Sequence, residues 1–230
     1  GWGVGFYVDG NPHLIRNDQQ AWGDSLFRDL SGVVSTRTLI AHIRLATVGA
    51  VRVLNCHPFQ HGRWCFAHNG EIAGFERREV RQRLRELVDP RFRRYLLGDT
   101  DSEILFHLFL SQLARLVDGL GDDGVRLDDA LEALRRTTRS VLEAAPDAQA
   151  ADDKHNKLTV LITNGDLMLG YRYRKELHYS TYKERCPERD TCAAFDERLC
   201  EREIERGVVK HLIVTSEPLA ASGPNVCISL

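Results

Sequence analysis

Residues 65–72 read CFAHNGEI, an apolar run that stops abruptly at His68, Asn69, Gly70 and Glu71. Asn-Gly is the commonest short turn signal, so the first expectation is a strand over residues 64–68 that ends in a tight turn at Asn69 and Gly70. Such a turn can merely reverse the chain, or it can present a side-chain amide and a backbone N–H at the end of a strand. The flanking segments bear on which. Residues 4–8 read as one strand upstream. Residues 38–44, Thr-Leu-Ile-Ala-His-Ile-Arg, read as a second, whose lack of alternation predicts burial on both faces.

Downstream, residues 77–88 carry Val80, Leu84 and Leu87 at helical spacing on an otherwise charged segment, a surface helix stopped by Asp89-Pro90. Thr100 and Asp101 ahead of Glu103 read as a helix N-terminus. The apolar run behind them, over residues 102–116, predicts a long helix buried on most sides and covering a sheet. Residues 127–142 form another helix, acidic at its start and arginine-rich near its end, as the helix dipole favours. After a loop over residues 146–153, strands are expected at residues 158–163 and 167–173, joined by the turn Asn164-Gly165-Asp166. Further strands are expected at residues 177–181, 208–215 and 225–230. Strands, then helices, then strands argue for α+β with helices packed on mostly antiparallel sheets.

A chain of 230 residues with 43% hydrophobic side chains can bury a substantial core. With 31 basic and 33 acidic residues, a formal charge of −2 gives no global field for nucleic acid or an anionic membrane. Apolar runs such as residues 158–162 fall far short of the ~20 residues of a membrane helix. Six cysteines do not make a disulfide-dense secreted scaffold, so cytoplasm is the default expectation. Cys56, His57, His61, Cys65 and His68 have zinc-binding chemistry, but their spacing matches no Cys-x-x-Cys or His-x-x-x-His pairing. Cys186, Cys192 and Cys200 form a looser group in a charged loop. No metal is expected at either, and a metal-stapled structural domain stays as a rival reading.

Three polar signatures terminate apolar elements: His42 to Thr47 with Gly49, then His68 to Glu71, then Thr100 to Glu103. Arg44 at the end of an apolar strand is costly to bury unless an anion meets it, and a guanidinium fork suits a carboxylate; an internal salt bridge is the plain alternative. An aspartate can hold an ammonium, and an Asn amide beside a Gly N–H can stabilise a developing oxyanion. Together these describe a site for an amino acid whose side-chain carbonyl is attacked. Gly70 is expected to be glycine because a Cβ would obstruct substrate approach.

In that order HIRLATVG, NCHPF, FAHNGEI and TDSE, with the opening GWGVGFY and the late VTSEPL, resemble the class II glutamine amidotransferases of the N-terminal nucleophile hydrolase superfamily. The closest resemblance is to their stand-alone single-domain branch. It implies a four-layer αββα sandwich of two mostly antiparallel sheets and one domain over residues 1–230. It implies that Arg44, helped by Thr47, grips an α-carboxylate and that Asp101 binds the α-ammonium. Asn69 and Gly70 would form the oxyanion hole. The nucleophile would be a cysteine at the mature N-terminus, with its own α-amino group as base. Gly1 cannot serve, and Cys56 and Cys65 do not match that position. The first few dozen residues are therefore expected upstream. No metal or organic cofactor is implied. The expected partners are a small-molecule substrate, glutamine or a γ-glutamyl compound, and a synthase or acceptor-domain protein that captures ammonia. Two alternatives stay open: a γ-glutamyl peptide or thiol-degrading hydrolase with little glutaminase activity, and an inactive glutamine-binding scaffold.

Overall fold

The structure, a computed structural model, describes residues 1–45, 49–118, 124–147, 155–180, 212–218 and 228–229. Strand β1 (Trp2–Val8) pairs antiparallel with β2 (Asn11–Asn17) through a two-residue turn. Both turn residues, Asp9 and Gly10, are left-handed, with φ of 48° and 77°, as the twist of a tight hairpin requires. On its other side β1 pairs with β3 (Leu39–Ile43), giving the order β2-β1-β3. Helix α1 (Ser25–Val33) intervenes, capped by Asp24, whose side chain accepts the N–H groups of Leu26 and Phe27.

The second sheet has the order β4-β5-β6-β7, from β4 (Phe59–His61), β5 (Trp64–Glu71), β6 (Lys157–Thr163) and β7 (Met168–Tyr171). Between β5 and β6 run helices α2 (Arg78–Leu87), α3 (Pro90–Arg93), α4 (Asp101–Leu113) and α5 (Leu127–Ala144). Short strands β8 (His178–Ser180), β9 (Ile213–Thr215) and β10 (Ile228–Ser229) form a third antiparallel group.

Strand alternation sorts the layers. Trp2 and Val4 of β1 turn outward onto Phe27 and Leu30 of α1, whereas Tyr7 turns inward with Ile40 to meet Cys65 and Ala67 of β5. Gly3 and Gly5 share the inward face. A Cβ on Gly3 would strike the His57 carbonyl, and one on Gly5 would lie 3.0 Å from Pro58 Cγ, so small residues let the 57–58 segment lie against β1. The opposite face of β5 and β6, with Trp64, Phe66, Leu158, Val160 and Ile162, packs on α2, α4 and α5. There Phe66 stacks on Phe106 at 5.1 Å, and Trp64 meets Phe109 edge-on at 5.4 Å. All 13 residues of α4 are buried. Helix, sheet, sheet, helix is the four-layer α+β sandwich that the motif order implied.

Three expectations are corrected. Strand β5 does not turn at Asn69-Gly70. It runs through them, paired Asn69 to Thr159, Gly70 to Leu158 and Glu71 to Lys157, because the distant strand β6 overrides the local turn preference. Nor is β3 buried on both faces. Among the described residues it pairs only with β1, and while Ile40 is covered, Leu39 and Ile43 are 41% and 67% exposed. Helix α4 also stops at Leu113, short of Leu116. Of residues 179–207, expected as a charged loop with the second cysteine group, residues 181–207 lie outside the described residues.

Candidate functional site

Strands β3 and β5 end, and helix α4 begins, at one edge of the sandwich. Between them lies a cavity of about 380 Å³, whose walls include Arg44, His57, His68, Asn69, Gly70 and Asp101. Arg44, Asn69, Gly70 and Asp101 are thereby brought together. Thr47 lies outside the described residues.

Arg44 follows β3 directly, and its backbone continues the pairing with β1: its N–H donates to the Gly1 carbonyl at 2.7 Å, and Gly1 N donates back to its carbonyl at 3.2 Å. The side chain is 8% exposed, with its guanidinium donating to the carbonyls of Gly49 and Ala50 at 3.5 and 3.4 Å. That loop is latched to the start of α4 by Asn55, which is fully buried. The Asn55 amide donates to the Ala50 carbonyl at 2.8 Å and to Asp99 Oδ1 at 2.6 Å, and its Oδ1 accepts the Asp99 N–H at 3.1 Å. One side chain thus sets the Arg44 loop relative to Asp101.

Asp101 is the first residue of α4. Thr100 caps the helix by accepting the Glu103 N–H at 3.3 Å, and the Glu103 carboxylate holds the approach by accepting the N–H groups of Leu97 and Gly98 at 2.9 and 2.8 Å. Asp101 is 2% exposed; its Oδ2 accepts the Ile72 N–H at 2.7 Å and its Oδ1 the Ser102 N–H at 2.9 Å. The helix N-terminus favours a carboxylate there. Among the described residues no basic side chain pairs with it. A carboxylate so placed on a cavity wall can receive a cationic group of a ligand.

The Asn69 carboxamide makes no hydrogen bond among the described residues, and it stands between the first cavity and a second of about 360 Å³, lined by Ala41, Ala67, Leu161, Leu177 and Val214. The direction of the Gly70 N–H follows from the ladder. Leu158 N–H donates to the Tyr173 carbonyl at 3.0 Å, away from β5, so Gly70 and Leu158 form a non-hydrogen-bonded pair and the Gly70 N–H points away from β6. Strand β4 stops pairing at Phe66, so among the described residues that edge of β5 carries no strand partner there. The fold adds its own reason for glycine here: a Cβ on residue 70 would collide with the Lys157 carbonyl and lie 2.7 Å from His68 Nε2, so the neighbouring strand and ring already exclude a side chain.

Three histidines on the wall were not read as site residues from the sequence. His68 Nε2 sits 2.8 Å from the Lys157 carbonyl, which can only accept, so that nitrogen carries the proton and Nδ1 accepts from Ser102 Oγ at 2.9 Å. Burial holds this imidazole below its ordinary pKa. His42 is pushed down to about 4, chiefly by burial, and its ring lies 4.2 Å from that of His57. His57 is 4% exposed, has no partner at either ring nitrogen among the described residues, and burial takes it well below the ordinary value. The wall therefore presents three neutral imidazoles at pH 7. The signal available was their position inside the quoted motifs.

The zinc-like cluster disperses: Cys65 faces Tyr7 between the sheets, His61 packs on Phe92 and Tyr95, and Cys56 Sγ contacts the Asn17 carbonyl at 3.4 Å. Among the described residues no three His, Cys, Asp or Glu are placed to hold a metal ion, and no helix is long and apolar enough to cross a membrane.

The family model described as glutamine amidotransferases class-II matches residues 1–188. The chain is 29% identical over 184 residues to "Probable glutamine amidotransferase DUG3" of Saccharomyces cerevisiae, covering 75% of this chain and 51% of that protein. It is 37% identical over 73 residues to the gamma-glutamyl-hercynylcysteine sulfoxide hydrolase of Mycobacterium tuberculosis, covering 31% of each. The chain thus spans about half, or less, of these curated relatives. The solved glutamine aminotransferase class-II domain protein of Silicibacter pomeroyi superposes with a TM-score of 0.60 at 28% identity, over 79% of this chain and 76% of that one.

Proposed function

We propose, from the premise that this chain belongs to the class-II glutamine amidotransferases, that its cavity holds a γ-glutamyl group for hydrolysis to glutamate. The observation that carries this reading is the buried Asp101 carboxylate, which accepts the Ile72 and Ser102 N–H groups, pairs with no basic side chain among the described residues and faces a cavity that Arg44 also lines. Opposite charges on separate elements suit the α-ammonium and α-carboxylate of one amino acid. The γ-carbonyl then lies toward Asn69 and Gly70.

The nucleophile implied by family membership is the thiolate of an N-terminal cysteine. Cys56 and Cys65 are poor substitutes: they are 1% and 0% exposed, and burial raises both thiol pKa values. Thiolate attack on the γ-carbonyl gives a tetrahedral oxyanion, which the Asn69 amide and the Gly70 N–H are placed to stabilise. Collapse expels the amine with the proton taken from the thiol, leaving a γ-glutamyl thioester. Water adds to that thioester, and the thiol leaves with glutamate as product. No step needs a metal or organic cofactor. The hydrolase name of the Mycobacterium tuberculosis relative supports hydrolysis of a γ-glutamyl compound, with or without a partner that takes up ammonia.

Full-length protein carrying that cysteine is expected to release glutamate from glutamine or from at least one γ-glutamyl peptide, and its cysteine-to-alanine variant to release none. Enzymatic glutamate assay across the panel checks both. Activity surviving in the variant would remove that cysteine as the nucleophile, and activity absent from every substrate with and without candidate partners would leave a binding scaffold as the better reading.

A further inference from the structure

The cavity wall carries more positive charge than glutamine requires. Among the described residues its ionic groups are Arg44, Lys157 and Lys175 against Glu71 and Asp101, and the three imidazoles add none. Lys157 Nζ is spoken for by Glu71 Oε1 at 2.6 Å. Arg44 and Asp101 match the two α-substituents of the glutamyl group. Lys175 is left over: it lies between β7 and β8, is exposed at the mouth of the cavity, and has no carboxylate partner among the described residues. Its place is fixed by Thr159, whose Oγ1 donates to the Lys175 carbonyl at 2.8 Å, and Thr159 is the cross-strand partner of Asn69. Lys175 therefore stands beside the residue assigned to the attacked carbonyl.

We propose that Lys175 recognises an anionic group on the leaving amine, so that the site prefers γ-glutamyl amino acids and peptides whose leaving amine bears a carboxylate over γ-glutamyl derivatives of uncharged amines. The proposal rests on the γ-glutamyl hydrolase reading above. Charge matching supports it. Glutamine is a zwitterion without net charge, whereas a γ-glutamyl amino acid has two carboxylates and one ammonium, a net −1 that complements Lys175, a wall cation without a carboxylate partner among the described residues.

The test compares kcat/KM of full-length, cysteine-bearing protein on γ-glutamylalanine and γ-glutamylethylamide, a pair that differs by the leaving-group carboxylate. The two amides differ in intrinsic reactivity, so the readout is how their ratio changes between proteins. Lys175→Met should lower the ratio about fivefold, the upper range for an exposed ion pair, Lys175→Arg should retain it, and raising salt should shrink the wild-type ratio. A ratio unaltered in Lys175→Met, or insensitive to salt, overturns the assignment. Glutamate released from glutamine but from neither of these two substrates would overturn this proposal and leave the γ-glutamyl hydrolase reading standing; glutamate from none of the wider panel would overturn both.

Discussion

Asn69→Ala is expected to lower kcat for glutamate release by about 10²–10³-fold, the usual cost of one oxyanion-hole donor. The side chain is half-buried and makes no hydrogen bond among the described residues, so truncation strands no protein group. Thermal stability should change little, and KM should stay near the wild-type value because the donor acts on charge that develops only in the transition state. Steady-state kinetics beside a melting curve separates these effects. An unchanged kcat would remove Asn69 from the reaction, and a fall explained by lost folding would make it structural.

Asp101→Asn is expected to reduce kcat/KM by about 10²–10³-fold through loss of ammonium binding, the scale of breaking a desolvated charged pair. This variant also has a structural cost. The carboxylate uses both oxygens, one for the Ile72 N–H and one for the Ser102 N–H. An Asn offers a single oxygen and turns an NH₂ toward the other donor, a destabilisation of about 1–3 kcal/mol. Arg44→Lys supplies the cleaner comparison. It keeps the charge but loses the two-pronged fork, so KM should rise with modest change in melting temperature. If KM for glutamine and γ-glutamyl peptides holds steady in Arg44→Lys, the carboxylate does not bind there.

What could be read from the sequence follows how locally each feature is determined. Helix α4 was legible because its cap at Thr100 and its unbroken apolar run are both local signals. Arg44, Asn69, Gly70 and Asp101 were legible as a set because each terminates an apolar element within a recognisable motif, and the fold brings all four to one cavity. The state of Asn69-Gly70 was not legible, since its pairing with Thr159 and Leu158 depends on a strand that follows four intervening helices. Strand β2 escaped notice behind Pro12 and a mixed pattern, and α1 behind its short length and Gly32. The tautomer of His68 needed three dimensions, because the Lys157 carbonyl and Ser102 reach it from β6 and α4.

The central claim is that Arg44 and Asp101 hold the two ends of one glutamyl head group. A crystal structure of the full-length protein with glutamate bound tests it most directly. The account predicts the α-carboxylate on the Arg44 guanidinium and the α-ammonium on the Asp101 carboxylate, each within about 2.7–3.2 Å, with the γ-carboxylate at Asn69 and the Gly70 N–H. Glutamate bound in the reverse sense, with its α-carboxylate at Asn69, or seated outside this cavity, would contradict it.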